Sequence, residues 1–276
     1  MIKENNIKLI FLSLSLLLII LIFFFPFFWI ITSSFKSPEE IIATSTTIIP
    51  RSFTLEHYNK ILFNSDFFIY LKNSLIVSFS SMLISIILSV SAAYGLHKLK
   101  FYGNKFVEYS LLVTYAFPGV ILLVPIYLLF AKVNLLNSYF ALIIVNVLFA
   151  TPFAVWMLKA FFKLIPNEIE EAAYIDGASR YVVISRIIVP LAAPGIASVA
   201  IFCFIISWTE YLFASILISG DDLKTLPVGL AGIVGQYQID WGFLLSGAVL
   251  ASLPVIFLFV FIGKYFVSGL TEGAVK

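Results

Sequence analysis

The sequence predicts an all-α, polytopic membrane protein with six transmembrane helices, and three observations carry that prediction. Of 276 residues, 61% are hydrophobic and 12% charged, against roughly 45–50% and 25% in soluble chains. The charges are also segregated. Six runs hold no Asp, Glu, Lys or Arg: Leu9 to Phe35, Asn73 to Leu96, Tyr109 to Ala131, Val133 to Leu158, Ile187 to Thr209 and Trp241 to Gly263. The shortest has 23 residues, more than the roughly 20 that cross a bilayer. Together the runs hold 146 residues, so all 32 charged side chains share the other 130, at the charge density of water-exposed protein. Finally, backbone groups in hydrocarbon must bond within their own segment, and the alternating pattern of membrane barrels is absent, so the runs are helices.

The expected spans are 9–31, 73–96, 107–130, 138–158, 190–218 and 241–263, within one domain covering 1–276. Span one follows Lys3 and Lys8 as a signal peptide would, but its 23 apolar residues to Ile31 exceed the 7–15 of a signal core. The long loop after it has room for extra structure. There Thr54 can N-cap a short helix with Leu55, Tyr58, Ile61 and Leu62 on one apolar face. That face either packs on the membrane surface or the protein's own spans, or meets an external partner.

In span two, Ser74, Ser78, Ser81, Ser85, Ser89 and Ala93 recur every three or four residues, a stripe of small side chains on one helical face. Such a stripe allows close helix packing with hydroxyl bonds across the interface; a polar pore lining is the competing reading. Pro118, Pro125, Pro152, Pro190, Pro194 and Pro254 interrupt or border other spans, which predicts kinks or breaks.

Between spans four and five, the loop 159–189 contains a punctuated helical pattern. Asn167 reads as an N-cap with Glu170 three residues on, and Glu168, Glu170 and Glu171 favour the positive end of the helix dipole. Gly177 suits a left-handed stop after Asp176, and Ser179 can open a second helix that ends before Pro190. On the first helix Ile169, Ala172, Ala173 and Asp176 form a narrow face. It either packs beneath the protein's own spans or enters a partner's groove.

Further along, Glu210 is the lone carboxylate within an apolar stretch, which makes it either a contact of an outer gate or solute path or a structural polar pair. Asn146, Ser207, Trp208 and Tyr211 are further candidates for a solute path. Lys and Arg number eleven on the side of the termini and six on the other, which predicts both termini in the cytoplasm of a multi-pass cell-membrane protein.

Several function classes are excluded or disfavoured. The net charge of +2 and the lack of a basic cluster speak against nucleic acid. Cys203 is the only cysteine, so no intrachain disulfide forms. His57 and His97, read as loop residues, fall on opposite sides of the membrane, so no shared metal site is expected. Gly229, Gly232 and Gly235 follow no strand, so they make no dinucleotide loop. Gly263-Lys264 lacks the rest of a phosphate-binding loop. No paired carboxylates or nucleophile-base set suggests an enzyme, and a proton-driven carrier would need more intramembrane carboxylates than Glu210.

Glu171-Ala172-Ala173, Asp176-Gly177-Ala178, Ile187 and Pro190 are spaced as in the EAA motif. The loop thus resembles that of permease subunits in binding-protein-dependent ATP-binding-cassette (ABC) importers, with Val189 replacing the commoner Leu. Phe35-Lys36-Ser37, Asn73-Ser74, Ala92-Ala93-Tyr94, Trp208-Thr209-Glu210-Tyr211 and the tail Gly269 to Lys276 extend the resemblance to the carbohydrate-uptake branch, and the tail to the smaller six-span permease of maltose-type importers.

The resemblance implies a type I ABC importer permease fold in which the EAA helix is a cytoplasmic coupling helix docking on an ATPase. In it Glu171 would offer a charged contact, Ala172 and Ala173 close approach and Gly177 the bend, with the tail as a further contact. The implied partners are a homologous second permease, two cytoplasmic ATPase subunits that bind the ATP, and an external solute-binding protein; the chain itself would carry no cofactor. The implied cargo is a di- or oligosaccharide. The alternatives are a monosaccharide, polyol or glycerol phosphate on the same machinery, or an ATP-independent carrier.

Overall fold

The computed structural model describes residues 2–45, 47–99, 101–232 and 239–272, with side chains described only between 11 and 263. Regular structure among them is helical: α1 (Ile2–Ser33), α2 (Pro38–Ile42), α3 (Glu56–Phe63), α4 (Phe67–Lys98), α5 (Asn104–Ala116), α6 (Gly119–Lys132), α7 (Tyr139–Phe162), α8 (Asn167–Ile175), α9 (Arg180–Val183), α10 (Val189–Leu191), α11 (Ala193–Trp208), α12 (Ala214–Leu217), α13 (Leu226–Ala231) and α14 (Trp241–Glu272). A π-helical stretch, Ile184–Ile188, joins α9 to α10. Gly235 and the tail residues Gly273 to Lys276, singled out in the sequence, lie outside the described residues.

Four unbroken helical segments of the described chain are long and apolar enough to cross a bilayer: Phe11–Ser33, Phe67–Lys98, Tyr139–Phe162 and Trp241–Gly263. Counting each of two bent pairs as one span raises the number to six: α5 with α6, bent by 96°, and the α9–α10 stretch with α11, bent by 79°. The segments expected at 107–130 and 190–218 are therefore not single rods. In the first, Phe117 is extended (φ −75°, ψ 128°) ahead of Pro118, and α6 restarts at Gly119. A residue before proline is driven out of the helical region by the ring, and the chain turns there. In the second, the helix runs on through Pro190, contrary to the expected stop. The π-helical stretch lets Val189 N–H bond to Ile184 O, five residues back, and this wider turn relieves the clash between the ring and the preceding turn. The break comes at Ala192 (φ −85°, ψ 6°), just ahead of Pro194 in the first turn of α11.

The chain divides into two compact units, Met1–Phe67 with Leu230–Leu253, and Phe68–Gly229 with Pro254–Lys276. In the first, the Phe35-Lys36-Ser37 motif forms a knot. Phe35 stacks on Phe53 and Tyr58 at 4.8 and 5.0 Å between ring centres. Lys36 is buried, donates to Ser33 Oγ (3.2 Å) and Thr47 O (2.5 Å), and sits 4.4 Å over the Trp29 ring. Ser37 caps α2 by accepting from Glu40 N at 3.3 Å. The helix expected from Thr54 starts at Glu56 instead, because Thr54 Oγ1 bonds Glu56 N at 3.1 Å in a turn that precedes the helix. Ile61 on its apolar face is buried whereas Leu55 is exposed. His57 is a buried helix residue rather than a loop residue, 3.0 Å from Lys36 O through Nε2. Lys60 pairs with Asp240, whose other oxygen caps α14 at Phe243 N (3.0 Å). Burial would raise the Asp240 carboxyl, but the Lys60 ammonium and that amide hold it below its ordinary value. No residue in the most apolar stretch of α1 is buried.

The second unit is built around α4, α7 and α11. The serine stripe of α4 is 2% exposed or less at every position from Ser74 to Ala93, so it is a packing face. At one end Val90, Ala93 and Tyr94 of α4 join Ala154, Val155 and Leu158 of α7 and Val199 and Cys203 of α11 in one core. At the other, Val77 meets Phe130, Leu142, Val145, Phe213 and Leu217. Gly195 of α11 lies against Phe161, where an added Cβ would come within 2.4 Å of the ring. Asn73 Nδ2 donates to Asp222 O (2.9 Å) and Lys224 O (2.8 Å), Tyr139 donates to Asn73 Oδ1 (2.6 Å), and Leu226 N donates to Ser74 Oγ (2.7 Å). The Asn73-Ser74 motif is thus a clamp on the segment 222–226.

Two predictions follow from this packing. Gly195→Ala forces the Phe161 ring aside and should lower stability by about 1–3 kcal/mol, read as a lower melting temperature in detergent; an unchanged melt would show that the ring yields freely. Asn73→Ala strands two backbone carbonyls and the Tyr139 hydroxyl, for a loss of about 1–3 kcal/mol and faster proteolysis at 222–226, which limited digestion would reveal.

Candidate functional site

The EAA loop forms α8 and the turn after it. The expected cap is displaced by one residue. Pro166 (φ −58°, ψ 140°) occupies the N-cap without a side-chain bond, and Asn167 is the first helical residue. Its Oδ1 instead accepts from Lys98 Nζ at 2.6 Å. Glu170 closes no capping box. It is 4% exposed, pairs with Lys98 Nζ at 2.8 Å through one oxygen, and accepts from the Tyr94 hydroxyl at 3.3 Å through the other. Tyr94 also lies 3.1 Å from the Tyr174 hydroxyl. A buried carboxylate needs this company, because leaving such an ion unpaired costs about 3–5 kcal/mol. Asn167, Glu170 and Tyr174 fall at i, i+3 and i+7, one face of the helix, and that face is fastened to the last turns of α4.

The far end of α8 follows the expected design. Gly177 adopts φ +82°, a left-handed conformation that costs other residues roughly 1–2 kcal/mol. Gly177 N bonds Tyr174 O (3.1 Å) and Ala178 N bonds Ala173 O (3.0 Å), the paired bonds of a Schellman stop. Ser179 then caps α9, its hydroxyl accepting from Val182 N at 3.5 Å.

The predicted face of Ile169, Ala172, Ala173 and Asp176 is split by the fold. Ala173 is buried and joins the core of the second unit, while Ile169, Ala172 and Asp176 are exposed. Away from α4, α8 exposes Glu168, Ile169, Glu171, Ala172 and Ile175, followed by Asp176 and Gly177 in the turn at its end. Ile175, 85% exposed, is an apolar tip rimmed by three carboxylates. Ile187 and Pro190 stand apart from that surface; they lie on the stretch leading to α11, Ile187 half-buried and Pro190 exposed.

The solute-path candidates are scattered. Asn146 on α7 and Ser207 on α11 are buried, and Asn146 Oδ1 and Ser207 Oγ lack hydrogen-bond partners. Trp208 is buried and stacks on Phe204, 5.4 Å between ring centres. Glu210 lies past the end of α11, and its carboxylate accepts from Phe213 N (2.7 Å) and Ala214 N (2.9 Å), capping α12. Tyr211 alone among the five is well exposed, at 47%. Sequence reasoning missed the Tyr94, Lys98 and Glu170 cluster as a unit. Its signal was present: Tyr94 and Lys98 sit four apart, on one face, where an apolar helix turns polar.

Comparison with known proteins identifies the family. Residues 85–272 match the family model described as the binding-protein-dependent transport system inner membrane component. The inner membrane ABC transporter permease protein YcjP of Escherichia coli is 39% identical over 253 residues, covering 90% of each chain. The trehalose/maltose transport system permease protein MalG of Thermococcus litoralis is 33% identical over 251 residues, again covering 90% of each. Among solved structures, a chain of a bacterial ABC transporter involved in the import of the acidic polysaccharide alginate superposes with a TM-score of 0.81 at 22% identity, covering 95% of this chain and 98% of that one. The chain belongs to the family of binding-protein-dependent transport system inner membrane components, and is accordingly a permease subunit that moves a solute rather than an enzyme that transforms one.

Proposed function

We propose that this permease carries a sugar, a di- or oligosaccharide, across the cell membrane, using force delivered to α8 by a separate ATPase. The observation that carries the reading is the presented end of α8. Glu171, Ala172, Ile175 and Asp176 are exposed beside a left-handed stop at Gly177, while the opposite face is fastened to α4. A short helix held on one side and bare on the other, with an apolar tip and a small residue beside it, suits a cleft on a partner.

In this reading both termini and α8 face the cytoplasm, in line with the eleven Lys and Arg on that side against six on the other. A homologous second permease covers apolar surface such as α1. Two ATPase copies bind the nucleotide, and an external binding protein delivers the solute. ATP-driven closure of the ATPase pair would move α8 and tip the spans from inward-open to outward-open; hydrolysis would restore the first state. Each ligand acts through its different affinity for the two states. Asn146, Ser207, Trp208, Glu210 and Tyr211 remain the candidates for the solute path. The sugar assignment is supported by relatives that transport trehalose/maltose and alginate.

Ala172 is exposed, so Ala172→Glu should leave insertion and melting unchanged while abolishing association with the ATPase and uptake. Gly177→Asp, which strains the left-handed turn, should do the same with a lower melt. Wild-type ATPase capture by Ala172→Glu would remove α8 as the docking helix. For the cargo, proteoliposomes holding the assembled importer and its binding protein are expected to accumulate labelled maltotriose only when ATP is enclosed. Accumulation of glycerol 3-phosphate instead would reassign the cargo, and uptake without ATP or the ATPase would favour an independent carrier.

A further inference from the structure

The same helix, α4, holds both ends of the second unit. At one end Lys98 and Tyr94 grip α8 through Asn167, Glu170 and Tyr174. At the other, Asn73 bonds the backbone carbonyls of Asp222 and Lys224, and Ser74 accepts from Leu226 N. Phe67–Lys98 is one unbroken helix that contains no proline. From Asn73 to Lys98 it rises about 37 Å at 1.5 Å per residue. The other helices bordering this core differ in this respect: α5 and α6 meet at a 96° bend, the approach to α11 bends by 79°, and α7 carries Pro152.

We propose that α4 is the connecting rod of the permease, with the Lys98–Glu170 pair as its inner joint and the Asn73-Ser74 clamp as its outer one, so that displacement of α8 reaches the segment 222–226 through a single continuous helix. This rests on the reading of α8 as the ATPase-docking helix. Glu170 is a positioning residue in this scheme: it faces away from the presented surface and touches α4 alone through its carboxylate. Two properties make the joint stiff. The Glu170 carboxylate is buried and the Lys98 ammonium is half-buried, so water has little access to the bond on the carboxylate side, and three attachments at i, i+3 and i+7 resist rotation of α8 about its own axis as well as sliding. The serine stripe of α4 consists of small, buried side chains, which let neighbouring helices pack closely against the rod.

The test uses the assembled importer with Cys203→Ala and nitroxides at Asp222→Cys and Lys132→Cys, both exposed positions, the second on α6 as a reference. A non-hydrolysable ATP analogue is expected to shift the distance between the labels. Glu170→Gln or Lys98→Met should abolish that shift while the ATPase still co-purifies at the wild-type level. The exchanged pair, Lys98→Glu with Glu170→Lys, should restore it, a rescue that a generally weakened fold would not give. Asn73→Ala, at the other joint, should abolish the shift without touching α8. A full shift in both Glu170→Gln and Lys98→Met would overturn the proposal, as would loss of ATPase association in either, because the pair would then be shaping the docking surface. If the unsubstituted chain captures no ATPase, the docking assignment itself falls and the rod falls with it.

Discussion

A peptide group in hydrocarbon has no solvent to bond, so each amide in these spans depends on its own helix, and wherever the helix stops something else must take its place. That constraint explains how this chain distributes its few polar side chains. The long helices satisfy themselves. The turns between them are served by short amide and carboxylate side chains, each reaching two backbone groups at once. Asn104 Nδ2 donates to Leu96 O (3.1 Å) and Leu99 O (3.0 Å), Asn137 Oδ1 accepts from Ser219 N (3.1 Å) and Gly220 N (2.9 Å), and Asn73 and Glu210 serve residues 222–224 and 213–214. Glu210 shows how this changes the reading of a residue. A carboxylate in an apolar stretch invites a functional role, but two amide donors at the start of α12 already give it a structural one.

The same constraint decides which prolines break a span. Pro26, Pro125, Pro152 and Pro254 all lie inside helices. Pro118 marks a bend because Gly119 beside it starts a new helix in which the missing donor is an orphan anyway. Pro190 is carried through by the π-helical stretch before it, and Pro194 sits in the first turn of α11, where no donor is needed. A ring inside a helix costs one hydrogen bond, whereas a ring at a helix start costs none; the surroundings decide whether the chain carries on through a wider turn or bends at a corner.

This is also where reading from sequence reached its limit. The apolar runs, the serine stripe and the Gly177 stop depend on neighbours within a turn or on simple counts, so they were legible. Asn167 was not, because its partner Lys98 is 69 residues away, and a residue placed to cap a helix looks the same as one placed to meet a distant lysine. His57 read as a loop residue because nothing nearby announces that it is buried beside Lys36 O and the backbone of Gly242. The split of the EAA face has the same cause. Helical spacing puts Ala172 and Ala173 side by side, but the core, assembled from α4, α7 and α11, decides that Ala173 turns inward and Ala172 outward.

That split makes the choice of an ion pair at Glu170 intelligible. An apolar contact of similar size would hold α8 to α4 with no desolvation of charge, and in many proteins such an exchange is neutral or stabilising. Apolar side chains, however, tolerate rotation and sliding by a fraction of a turn, because their attraction depends on area and not on direction. A carboxylate held by an ammonium on one oxygen and a phenol on the other has few orientations that satisfy both. With Asn167 fixed to the same ammonium, α8 has little freedom to turn, and so Glu171, Ala172 and Ile175 have one way to face. In the docking role proposed for α8, the direction of its bare side matters more than the strength with which its other side is held.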